Sequence, residues 1–192
     1  MRHNATRSLL DYFNRIRGKD DAPLRRDVNP SDIPRLLPDI FMLEAVDNRW
    51  FRFRLAGTRL CAALGQEARG QEFGLVWTID DRRRMTLAAQ SVLANKLPFI
   101  IEAHDANTGE EVELLLLPMR SSETECDRLI GVFSRADPDR PLRMGMELMV
   151  EKMRFLTPDR PDPTEPEERP APEAVIRARG VALRVYDGGK TN

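Results

Sequence analysis

The sequence predicts an α+β domain: a five-stranded antiparallel sheet in the order 2-1-5-4-3, with helices on one face and an N-terminal helix on the other. Three observations point there. Five strand-like runs fall as a pair, then a helical stretch, then three more. The first, fourth and fifth runs are apolar on both alternating faces, and the second and third mainly on one. The N-terminal segment carries apolar residues at helical spacing and can cover the second face.

Composition bounds the problem. The chain has 192 residues, 41% hydrophobic and 32% charged, which suits one domain with extensions and buries roughly 70% of the unfolded surface without a staple. Thirty basic residues oppose 31 acidic ones, so overall basicity offers no case for nucleic acid. Cys61 and Cys126 form no CxxC, and with only two histidines no metal constellation is expected. No apolar run approaches the ~20 residues of a membrane span, and the N-terminus has no signal-like apolar region. A soluble, cytoplasmic protein with no membrane partner is expected.

Residues 1–38 read as a helix and a proline-containing lead-in. Leu9, Phe13 and Ile16, with Tyr12 beside them, share a helical face; Ser8 can cap that helix and Gly18 can end it. Pro23, Pro30, Pro34 and Pro38 then allow only a short turn around Ile33–Leu37. The core spans 39–138. Its first two strands, Ile40–Val46 and Trp50–Ala56, are joined by Asp47-Asn48-Arg49. Gly57 breaks the second strand, and Thr58 opens a short helix with Leu60, Cys61 and Leu64, which Gly65 closes. Glu72–Trp77 reads as a turn of helix. Thr78 or Asp80 caps a long helix to about Asn95, with Met85, Ala88, Ala89 and Val92 on one face. Phe99–Asp105, Glu111–Arg120 and Arg128–Arg135 complete the strands, with Thr108-Gly109 turning between the first two.

In the extension 139–156, Leu142, Met146, Met149, Met153 and Leu156 repeat at helical spacing while Gly145 counts against a helix, so helix and extended arm both stand. Residues 157–173 hold six prolines and six acidic residues, the composition of a linker. In the tail, 174–192, Val181, Leu183 and Val185 alternate as in a short strand.

Strands apolar on both faces need cover on both sides and belong in the middle of a sheet. Hairpins pair the first strand with the second, the third with the fourth and the fourth with the fifth. The order 2-1-5-4-3 follows, with the second and third strands at the edges.

Several stretches carry a family resemblance: Ser8-Leu9-Leu10-Asp11-Tyr12, Ile33-Pro34-Arg35-Leu36-Leu37-Pro38, Phe53-Arg54-Leu55-Ala56-Gly57-Thr58-Arg59-Leu60-Cys61, and Val112–Met119 followed by Asp127–Phe133. Over roughly residues 6 to 138 the chain resembles a bacterial, mainly alphaproteobacterial, branch of single PAS-like domains. The resemblance implies the PAS strand order and a module that senses ligands or dimerises in signalling. The chain lacks the Asn-Cys-Arg-Phe motif of flavin-binding light sensors, and Ile79–Asn95 holds no histidine of the kind haem-binding PAS domains use. Photoactive flavin and haem are therefore disfavoured and no cofactor is expected, while an unidentified small ligand stays open.

A cavity between sheet and helices would be lined by Phe53, Leu55, Cys61, Leu64, Trp77, Met85 and Phe99, with Arg54 as a polar anchor. The same apolar residues would equally make a dry core. Leu115, Leu117 and Met119 form a stripe on the opposite sheet face. Covered by the chain's own helix it is ordinary packing. Shared with a second subunit it is a homodimer interface, to which Leu9, Phe13 and Ile16 would contribute. Cys61 reads as a small packed hydrophobe, His104 as a solvated strand residue, and Arg82–Arg84 as a solvated helix face. No GxSxG, HExxH or Walker loop occurs, so no enzyme is expected. The expected function is a signalling and interaction module that homodimerises and binds an unknown signalling protein. The alternative is a sensor that holds a metabolite or chromophore.

Overall fold

The structure, a computed structural model, describes residues 1–47, 49–135 and 145–157, and the backbone of 175–178 and 181–184. The expected strands form where the apolar alternation places them. They are β1 (Ile40–Val46), β2 (Trp50–Ala56), β3 (Phe99–Asp105), β4 (Glu111–Met119) and β5 (Arg128–Arg135), joined by a sixth, β6 (Leu148–Phe155). The sheet order is β2-β1-β5-β4-β3-β6, and every pairing is antiparallel. Three α-helices accompany it among the described residues: α1 (Asn4–Arg17), α2 (Thr58–Leu64) and α3 (Ile79–Asn95).

Both-faced strands produce two cores. On the inner face, Phe41, Leu43, Leu114, Leu116, Leu129 and Phe133 pack against α2, α3 and the turn Phe73–Val76 between them. On the outer face, Ile40, Met42, Leu115, Leu117, Ile130 and Val132 pack against Leu9, Tyr12 and Phe13 of α1 and Ile33 and Leu36 of the lead-in. The N-terminal helix thus covers the second face, as expected. It starts four residues before Ser8, with His3 at the cap, and ends at Gly18.

The third strand is not an edge. β6 pairs along its whole length, from Phe99 opposite Phe155 to Asp105 opposite Leu148. The register of β6 skips Glu151, so Leu148 and Val150 face the inner core before the skip and Met153 and Phe155 after it. The helically spaced residues do not share a face: Met146 and Met153 join the inner core, Met149 is 41% exposed, and Leu156 packs with the outer cluster. β6 is further tied to the helical layer: Thr78 N–H donates to the Leu148 carbonyl at 2.9 Å, and Val150 N–H to the Asp81 carboxylate at 2.8 Å. The core therefore runs past residue 138, and the first compact unit spans Met1–Arg160. The second unit, Pro161–Asn192, contains an antiparallel pair, β7 (Val175–Ala178) and β8 (Val181–Arg184). The expectations for Leu142, for residues 158–173 and for Val185 lie outside the described residues.

Candidate functional site

The space between sheet and helices is filled by rings. Phe41 and Phe53 meet edge to face at 5.8 Å, Phe41 stacks on Phe73 at 6.2 Å, Phe53 meets Phe73 at 5.8 Å, and Phe73 meets Trp77 at 5.7 Å. These separations lie in the favourable range for aromatic pairs. Of the expected lining residues, Phe53, Trp77, Met85 and Phe99 are buried in this inner core, and Cys61 and Leu64 pack partly buried at its rim. The block leaves a cavity of about 260 Å³ at its margin, which Phe53 and Leu64 line. The polar groups around that cavity, Gln66, Gln71, Glu72 and Glu147, come from loops that carry no periodic signal in sequence. One polar atom stands out inside the block. The Trp77 indole Nε1 is buried and has no hydrogen-bond partner among the described residues.

Leu55 and Arg54 do not belong to this space. Leu43 pairs with Phe53 but Met42 pairs with Leu55, so Arg54 is an extra, bulged residue on β2. Beyond the bulge the faces exchange. Ala56 turns to the inner core, and Leu55 falls opposite outer-face Met42, where it is 41% exposed. Arg54 joins Arg52 and Arg128 around Glu44 instead, its Nε 3.4 Å from the carboxylate. Glu44 is buried, and burial by itself would raise its carboxyl; the hydrogen bond from Arg52 and the charges of Arg128 and Arg54 outweigh that and hold it below the ordinary value. Three cations around one carboxylate form a cross-strand charge cluster at the β2 side of the sheet.

The stripe expected at a dimer interface is already covered. Leu9, Phe13, Leu115, Leu117 and Met119 are buried within the chain and Ile16 is partly buried against the same cluster, because α1 lies across that face. None of the five fully buried side chains offers surface to a second subunit while α1 stays docked.

Cys61 behaves as a packed side chain. Burial and the neighbouring Glu67 carboxylate raise its thiol, so it stays protonated near neutrality. His104 Nδ1 lies 3.0 Å from a Glu151 oxygen on β6, a local pair on the polar face of the sheet. In the arginine run, Arg82 Nε donates to the Trp77 carbonyl at 3.2 Å and Arg84 pairs with Asp81 at 3.5 Å, while Arg83 is exposed. Among the described residues no group of three or more His, Cys, Asp or Glu could hold a metal ion.

The two short sequence stretches that carry the resemblance meet in space. Gly57 N–H donates to the Ile40 carbonyl at 2.7 Å, and Arg59 N–H to the Pro38 carbonyl at 2.9 Å. A Cβ on Gly57 would fall 2.2 Å from the Pro38 oxygen, so only glycine permits this backbone contact. The Arg59 guanidinium then reaches the Asp39 carboxylate at 2.7 Å. Burial pushes the Asp39 carboxyl up, and the charges of Arg59 and Arg135 offset only part of that. The Ile33–Pro38 and Phe53–Cys61 stretches are thus two halves of one junction between lead-in, β1 and α2.

A family model described as the PAS domain matches residues 1–134. The chain belongs to the PAS domain family. The PAS match ends at the last residue but one of β5, so β6 lies beyond it. No curated protein matches the chain. As a PAS domain it is a signalling or sensory module in general terms, and PAS domains are typically sensory modules without catalysis. No described helix is long and apolar enough to cross a membrane.

Proposed function

We propose that this PAS domain is a cytoplasmic signalling module that acts through protein contact, by self-association and by binding a partner protein, without a bulky cofactor. The observation that carries the reading is the aromatic block: Phe41, Phe53, Phe73 and Trp77 occupy the interior where a cofactor would otherwise lie. The remaining cavity of about 260 Å³ falls below the ~300–1,000 Å³ usual for organic ligands. With interior capacity so small, the signal is carried by surfaces. Native mass spectrometry of the untagged chain, run beside the denatured mass, tests this. A dimer of unmodified mass supports it, and a strictly monomeric chain overturns the self-association.

A second reading rests on one specific atom. The unpartnered Trp77 Nε1 is a buried donor that a small ligand's acceptor would satisfy. In that case the chain is a small-molecule sensor. A reproducible added mass that is lost both on denaturation and in Trp77→Phe would establish this reading and displace the first.

A further inference from the structure

A second cleft lies at the motif junction. It has a volume of about 500 Å³, which lies within the range of small-molecule sites. Its walls come from the start of α1, the lead-in, α2 and the end of β5. Four arginines line it, Arg2, Arg35, Arg59 and Arg135, against a single carboxylate, Asp39. We propose that this cleft binds the phosphate group of a small molecule.

The placement of charge supports the assignment. Asp39 is already engaged by Arg59 at 2.7 Å. Arg135, whose side chain is only 2% exposed, is held from behind by Glu110, 2.7 Å from its Nε. Arg2 pairs with Glu102 and Glu111, each at 3.2 Å. Glu102, Glu110 and Glu111 do not line the cleft. All four arginines line the cavity, while most of the carboxylates that pair with them do not. Arg35 is exposed at the wall and makes no ion pair with any described residue. Planar guanidinium forks match the oxygens of phosphate, and several forks around one volume suit a doubly charged tetrahedral group better than a single carboxylate. Ser8 adds a hydroxyl to the same wall.

This site is separate from the interior cavity and shares no lining residue with it. It goes beyond the signalling reading and holds whether or not the chain dimerises. The test is calorimetric titration of the full chain with inorganic pyrophosphate, and separately with citrate, at about 0.15 M ionic strength. The variants are Arg35→Ala, Arg59→Ala and, as a control outside the cleft, Arg83→Ala. Pyrophosphate should bind saturably, Arg35→Ala should weaken it about tenfold or more, and Arg83→Ala should leave it unchanged. Citrate should bind at least about tenfold more weakly. Should Arg59→Ala lose its fold with the Asp39 pair, Arg35→Ala decides alone, since that side chain is exposed. No saturable binding up to about 10 mM pyrophosphate overturns the proposal. So does an Arg35→Ala affinity equal to wild type, an equal loss in Arg83→Ala, or citrate binding as tightly as pyrophosphate.

Discussion

Gly131 offers the sharpest test of the filled interior. It lies on β5 directly opposite Phe41 of β1. A Cβ there would sit 2.3 Å from the Phe41 ring and 2.7 Å from the Leu115 carbonyl oxygen. Neither neighbour can yield easily. The Leu115 oxygen belongs to β4, which pairs with β5 at this point, and Phe41 is fully buried between the Phe53 and Phe73 rings. Relief requires a ring displacement of more than an ångström toward atoms already in contact. Overpacking of this kind costs about 1–3 kcal/mol, and the backbone contact places Gly131→Ala near the upper end. At about 2–4 °C per kcal/mol for a unit of this size, the thermal midpoint should fall by roughly 5–10 °C. Phe41→Leu removes the obstructing ring and should itself cost about 1–3 kcal/mol. The double variant should be less destabilised than the sum of the two by about 1 kcal/mol or more, because the two changes compensate at one contact. Urea unfolding of the four proteins supplies the cycle. A Gly131→Ala midpoint within about 1 °C of wild type, or strict additivity, would refute the packing described for the interior.

Glu44 predicts a pH signature. Its folded-state carboxyl is held below the ordinary 4.5, so its stabilising contribution is complete above that value and is lost as pH falls through the lower folded value. Glu44→Gln should cost at most about 2 kcal/mol at pH 7, the arginines being partly in solvent. The gap to wild type should narrow in urea melts as pH falls below 4.5, and a gap of equal size at pH 7 and at the lowest pH where the chain still folds would contradict the account. Leu115→Asp with Leu117→Asp should abolish cooperative unfolding instead of yielding a folded monomer, since both side chains are fully buried beneath α1; a folded variant with native circular dichroism would show that the outer core is not what holds α1. Cys61 should alkylate more slowly at pH 7 than the thiol of an unfolded peptide, because burial and Glu67 raise it. An iodoacetamide rate equal to that of the urea-unfolded chain would count against that environment.

Much of the fold was written locally. Apolar residues on both faces of Ile40–Val46, Glu111–Arg120 and Arg128–Arg135 identified the strands that need two covers, and both covers are present. Gly18, Gly57 and Gly65 marked element ends where only the backbone matters. The buried members of the interior set, Phe53, Trp77, Met85 and Phe99, were legible because apolar side chains at regular spacing have one place to go. What the chain alone did not disclose were the two bulges. A bulge is a mismatch between partners, so it exists only once β2 lies against β1 and β6 against β3. The first sent Leu55 to the outer face, and the second carried Met153 and Phe155 to the inner core. The arginine-lined cleft was hidden for a related reason. Arg2, Arg35, Arg59 and Arg135 are scattered along the chain without spacing or motif. Only the docking of α1 and the passage of Gly57 beneath Pro38 bring them to one cavity. Hydrophobic periodicity, a property of each segment, determined the layers of this protein. Strand register and helix docking, properties of pairs of segments, decided where its charges converge.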